Sequence, residues 1–157
     1  MSNNVTLAAK HGTRKAAVAN AHLLPGKGEF VVSRSLSPKD VLNAKRRGVE
    51  RSALKTTFTV DQYFSTISAQ KPLDFLKEVL AMVNCVDNFK VVINVKGGGL
   101  KSQLHAARLA IAKALVKYNP ELKPLLGSEC RTDARKKERS KIGCRGKARR
   151  KVQFSKR

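Results

Sequence analysis

An α+β fold, with helices on one face of a small sheet and a long basic tail, is what this 157-residue sequence predicts. Three observations predict it. The stretch Phe89-Lys90-Val91-Val92-Ile93-Asn94-Val95 is rich in β-branched residues and alternates at both ends, as a half-buried strand does. Two other segments repeat apolar residues every three or four positions, as helices with one buried face do. The stretch 131–157 holds thirteen Lys/Arg against two acidic residues, a net +11 and half of the whole chain's +22, too much charge to fold alone.

The elements follow in order. Residues 1–10 are small and polar and read as a short arm; residues 11–130 form the globular domain. The stretch 13–24 reads as a strand diluted by alanines, and Pro25-Gly26-Lys27-Gly28 turns the chain into a second strand at 29–32, a hairpin. Residues 33–57 are polar and basic. Within them Ser37-Pro38-Lys39-Asp40 supplies an N-cap, a proline at the first helical position and an early acid, so a helix starts there and runs to Arg46 or Arg47 before Gly48. Residues 59–64 give a short helical turn. Pro72 opens a clearer helix in which Leu73, Leu76, Val79, Leu80 and Val83 share a face. After the 89–95 strand, Ser102 caps a helix to about Tyr118, with Leu104, Ala107, Ile111 and Leu115 toward the core and Lys101, His105 and Arg108 outward. Asn119-Pro120 stops it, and a helical turn at 121–126 leads to the tail. The tail is expected to be extended, with 133–139 as a helical exception.

Composition narrows the function. Aromatic residues are 5% of the chain and Trp is absent, which argues against single-strand binding on rows of stacking platforms. Phosphate contact, strongly salt-dependent, is the expected mode, and charge alone leaves RNA and DNA open. Cys85, Cys130 and Cys144 form neither a disulfide framework nor a Cys-x-x-Cys pair, and His11, His22 and His105 are scattered, so no metal or other cofactor is expected. No run reaches membrane-spanning length. Neither a Walker loop nor a G-x-G-x-x-G fingerprint is present, and no nucleophile or His-acid pairing stands out, so an enzyme is not expected.

Lys96-Gly97-Gly98-Gly99 is the most specific internal constellation. Glycines let the backbone approach a partner closely, and the helix that follows offers free amides and a positive dipole end to a phosphate. A tight strand-to-helix crossover explains the glycines equally well; the flanking Lys96 and Lys101 favour an anion. The tail is the second constellation, and ordering on a polyanion is its physical expectation.

Taken together, Gly12-Thr13-Arg14-Lys15, Leu24-Pro25-Gly26-x-Gly28, Val95-Lys96-Gly97-Gly98-Gly99-Leu100, Ala107-Arg108-x-x-Ile111-Ala112-x-Ala114-Leu115, Asp133-Ala134-Arg135-Lys136-x-Glu138-Arg139 and Lys147-Ala148-Arg149-Arg150-x-x-Gln153-Phe154-Ser155-Lys156-Arg157 resemble, in order, the universal S-nine family of small-subunit ribosomal proteins, bacterial and organellar branch. The resemblance implies the fold of the second domain of ribosomal protein S-five, with a left-handed β-α-β crossover. It implies a body on the 3′ major domain of the rRNA in the subunit head, beside neighbouring head proteins. The tail would thread through rRNA to the peptidyl-tRNA site. The rRNA-binding residues expected on this basis are Arg14, Lys15, Lys96, Gly97, Gly98, Gly99, Lys101, Arg108, Arg135, Lys136, Lys137, Arg139, Lys141, Arg145, Lys147, Arg149, Arg150 and Lys151; Ser155, Lys156 and Arg157 would touch the tRNA. The chain departs from the family's pattern by an insertion at about 33–57, carrying Arg34, Lys39, Lys45, Arg46, Arg47, Arg51 and Lys55 against Asp40 and Glu50. That charge suits contact with further rRNA or a lineage-specific protein more than a merely solvated excursion. The departures favour an organellar ribosome, the mitochondrial one first, with a plastid or the bacterial cytoplasm as the alternatives.

Overall fold

The computed structural model describes residues 6–36, 38–48, 50, 56–67, 71–144 and 148–149. In chain order the elements are β1 (Ala8–Arg14), β2 (Ala17–Pro25), β3 (Phe30–Arg34), α1 (Pro38–Arg46), β4 (Thr57–Thr59), α2 (Val60–Tyr63), α3 (Pro72–Ala81), β5 (Phe89–Lys96) and α4 (Leu100–Tyr118), then a 3-10 turn at Pro120–Leu122. The five strands form one sheet in the order β1-β2-β5-β3-β4. β5 is its centre, antiparallel to β2 and parallel to β3.

The hairpin expected at Pro25-Gly26-Lys27-Gly28 does not form. β2 pairs with β1 on one edge and β5 on the other, so β5 lies between β2 and β3. The hairpin sits earlier. What reads as a single strand at 13–24 is two, reversing at Lys15-Ala16, and β1 takes in the last part of the expected arm, Ala8 to Lys10. The three-residue β4, pairing with β3, is a further element that alternation alone does not mark.

Alternation sorts the two faces of the sheet. Ala17, Ala19, Ala21 and Leu23 of β2 and Phe89, Val91, Ile93 and Val95 of β5 are buried, while Asn20, Asn94 and Lys96 between them are exposed. α4 lies over the buried face, against β1 and β2 and in part β5, and α3 packs beside it. The seam is narrow because both sides are small: Ala17, Ala19 and Ala21 below, Ala106, Ala107 and Ala110 above, all fully buried. At Gly12 even one methyl is too much, since a Cβ there would lie 2.3 Å from the Ala106 carbonyl oxygen and 2.6 Å from the Ala110 nitrogen.

The helices confirm most of the periodicity. Leu76, Val79 and Leu80 are buried, with Leu73 and Val83 packed against the core; Leu104, Ala107, Ile111 and Leu115 are buried as well. α1 ends at Arg46 as expected, and its Ser37 cap lies outside the described residues. α4 starts earlier than Ser102: its N-cap is Gly99, which has no side chain to bond the first amides. Arg108 does not point outward, its side chain being only 11% exposed. The 133–139 stretch holds no helix; Asp133 there folds back on the backbone N–H of Arg135 instead.

Candidate nucleic-acid interface

The three consecutive glycines do different work. Gly97 and Gly98 have φ of 69° and 67°, and a Cβ on either would collide with the β1–β2 turn, 2.8 Å from the Ala16 carbonyl oxygen and 2.7 Å from the Ala17 Cβ respectively. Those two glycines serve a turn and a close approach. Gly99 differs: its φ is negative and nothing lies within 4 Å of where its Cβ would be. It leaves the amide end of α4 open.

Two side chains hold this loop from behind. The Gln103 amide nitrogen donates to the Gly97 carbonyl at 2.9 Å, and its Oε1 accepts from the Tyr63 hydroxyl at 3.0 Å. Burial pushes the Tyr63 phenol above its ordinary range, so it stays a donor. Sequence reasoning missed Gln103, although it sits four residues before Ala107 on the core face of α4. A polar residue in an apolar stripe is the signal that could have found it. Gln103 and Tyr63 line a cleft of about 650 Å³ together with Arg34, Lys96 and the three glycines. Arg34, the last residue of β3, brings a cation from the start of the insertion to this cleft, and Lys101 stands exposed on the first turn of α4.

The loop leads directly to the next group of cations. Because Gly97 and Gly98 pack on Ala16 and Ala17, the exposed Lys15 of the β1–β2 turn stands beside them. Lys15 adopts φ of 55°, an uncommon conformation for a residue with a side chain. Across a groove of about 730 Å³ from this turn run Arg135, Lys136 and Lys137. Arg139 and Lys141 follow, exposed, in a stretch without regular secondary structure. A continuous cationic strip therefore joins the α4 amino end, the β1–β2 turn and the tail.

Arg14 and Arg108, also expected to bind RNA, are engaged by carboxylates. Arg108 Nε meets Glu129 at 2.7 Å and its Nη1 meets Glu78 at 2.5 Å, with the guanidinium 4.3 Å above the Phe75 ring. Partial burial works against the Arg108 charge, but the hydrogen bonds to Glu129 and Glu78 outweigh it and hold the group more firmly protonated. Arg14 pairs with Asp133 at 2.8 Å. The side chain and backbone N–H of Arg135, then Arg14, hold the Asp133 carboxyl well below the usual carboxylate range. Arg149 pairs with Glu138. The positions Arg145, Lys147, Arg150, Lys151, Ser155, Lys156 and Arg157 lie outside the described residues. Among the described residues no group of three or more His, Cys, Asp or Glu could hold a metal ion, and no helix is long and apolar enough to cross a membrane.

Comparison with known proteins places the chain among ribosomal proteins. A profile of the family described as ribosomal protein S9/S16 matches residues 54–157. The chain is 40% identical over 148 residues to the small ribosomal subunit protein uS9 of Porphyromonas gingivalis, an alignment spanning 93% of this chain and 94% of the relative. Against the protein of the same name from Thermotoga neapolitana the identity is 38%, over 93% and 92% of the two chains. Against that of Amoebophilus asiaticus it is 32%, over 93% and 94%.

Proposed function

The chain belongs to the ribosomal protein S9/S16 family, and on that premise we propose that it is a structural, non-enzymatic constituent of the small ribosomal subunit, seated on the rRNA of the head. The observation that carries the RNA-binding part is the unbroken cationic strip. Lys96, Lys101 and Lys15 on the body and Arg135, Lys136 and Lys137 on the tail follow one path, the arrangement a phosphate backbone requires.

On this reading the body cations, with the open amide end of α4 beyond Gly99, fix the protein's register on rRNA. Arg139, Lys141, Arg145, Lys147, Arg149, Arg150 and Lys151 extend the contact along the tail. Ser155, Lys156 and Arg157 reach the peptidyl-site tRNA. The basic α1 region takes additional rRNA or a neighbouring head protein. The parallel β3-to-β5 connection carries the left-handed sense of the S-five-like fold. The bacterial origin of the relatives favours a ribosome of the bacterial cytoplasm over the mitochondrial one that the insertion suggests.

Sedimentation of a cell extract through a sucrose gradient tests the assignment. The chain is expected in the small-subunit peak and in assembled ribosomes, and its absence from both would defeat the reading. Removing Ser155 to Arg157 is expected to leave assembly intact and weaken peptidyl-site tRNA binding.

A further inference from the structure

The root of the tail is tied to the body at three places. Leu126, fully buried, anchors the chain just upstream. Glu129 then takes the Arg108 guanidinium of α4, Thr132 Oγ1 accepts from Lys113 Nζ of the same helix at 2.6 Å, and Asp133 takes Arg14 of β1. Arg108 and Lys113 lie more than a turn apart on α4, and Arg14 is on the sheet beneath. Three attachment points that are not in line fix the orientation of a short segment, whereas two leave a rotation free. Past Arg135, among the described residues, the side-chain bonds run within the tail, Arg149 to Glu138 and Arg139 to the Ser140 carbonyl.

Arg108 is poorly placed to receive a phosphate. Its Nε and Nη1 are committed to Glu129, Glu78 and the Phe75 carbonyl, and the Phe75 ring faces the guanidinium. An approaching phosphate would meet two carboxylates before it met the cation, and like charges at that distance repel. Arg14 is turned to Asp133 in the same manner.

We propose that residues 129–135 form a fixed exit that aims the tail, and that Arg14 and Arg108 are positioning residues acting through Asp133 and Glu129 instead of ligands of RNA. This rests on the reading of the tail as the limb that contacts RNA and tRNA. The buried Leu126 sets where the tail leaves the body, and the three polar ties set its direction. The first free pivot is at Lys136, beside the groove shared with Lys15.

Backbone order parameters from NMR relaxation on the full-length free protein test the proposal. In the unaltered chain, order is expected to stay near the rigid value of about 0.85 through residue 135 and to fall below about 0.6 further along the tail. In a Glu129→Gln, Asp133→Asn double variant the fall is expected to move back to about residue 129, with the body still ordered. Asp133→Glu, which keeps the carboxylate, is expected to preserve the fixed exit. Unchanged order at 129–135 in the double variant would overturn the proposal. If that variant does not fold, Asp133→Asn alone decides by the same measure. In reconstituted small subunits the double variant is expected to bind peptidyl-site tRNA several-fold more weakly while still assembling; full affinity despite a disordered exit would overturn the aiming role. A failure of the unaltered chain to sediment with small subunits defeats the functional reading and leaves the free-protein result standing.

Discussion

The arginines that hold the tail root, Arg14 and Arg108, and the cations past Arg135 are handled in opposite ways. Arg108 is enclosed by Glu78, Glu129 and Phe75, Arg14 is turned to Asp133, and Lys90 meets Glu29 at 2.7 Å. Beyond Arg135, Lys136, Lys137, Arg139 and Lys141 stand exposed with Glu138 as the neighbouring acid, itself taken by Arg149. In a chain with 33 basic and 11 acidic residues, carboxylates placed at the tail root hold architecture together, and the cations left over define where a polyanion goes. An Arg count alone therefore overstates the binding surface.

The sharpest way to test that contrast is to damage the body where it has no slack. Gly12→Val is expected to cost about 3 kcal/mol or more, because the new side chain meets the backbone of α4 at Ala106 and Ala110; urea denaturation reads the loss. Leu126→Ala locates the boundary. Although it lies only a few residues before the tail, its complete burial predicts a loss of about 2–5 kcal/mol, and a change near zero would place the boundary upstream.

The glycines give the next step down. Gly98→Ala forces a positive φ and a clash with Ala17, for an expected cost of about 1–3 kcal/mol. Gly99→Ala is expected to leave the denaturation midpoint almost unchanged while weakening rRNA binding, which identifies the one glycine that serves the ligand.

In the tail, Lys136→Gln with Lys137→Gln is expected to leave stability unaltered. It should reduce the slope of log affinity against log salt by about 0.7–0.9 for each phosphate no longer neutralised. The smallest effect is a titration. Partial burial, then Arg14 and Arg108, hold the pKa of His105 below its ordinary 6.5, so the unfolded chain binds this proton first. Stability is therefore expected to fall as pH drops below about 6.5, and His105→Asn should flatten that dependence in a urea midpoint series.

Much of the body was legible from periodicity, and the reasons for the misses are local. β5, α3 and α4 announce themselves because long apolar repeats leave little choice of conformation. The β1–β2 reversal was hidden because Lys15 adopts the left-handed conformation that a Gly or Asn would have signalled. Pro25-Gly26-Lys27-Gly28 carries the signal of a hairpin, yet β5, far later in the chain, claims the edge that β3 would have taken. Of the interface, Lys96, Lys101 and the basic tail could be read directly from charge and glycine. Gln103 and the Arg108 clamp could not: each depends on partners brought from distant segments, Tyr63 for one, Glu78 and Glu129 for the other.

The central position of β5 also orders events during synthesis. As the chain emerges from its amino end, β1 with β2 and β3 with β4 are two antiparallel pairs that share no ladder, and the first has not yet met α4, the helix that covers it. Only when Phe89–Lys96 arrives does one strand join them, and α4 follows at once to seal the face. Closure thus waits for contacts of long sequence separation, the slow kind. The basic limb, made after α4, emerges onto a platform already assembled to receive it.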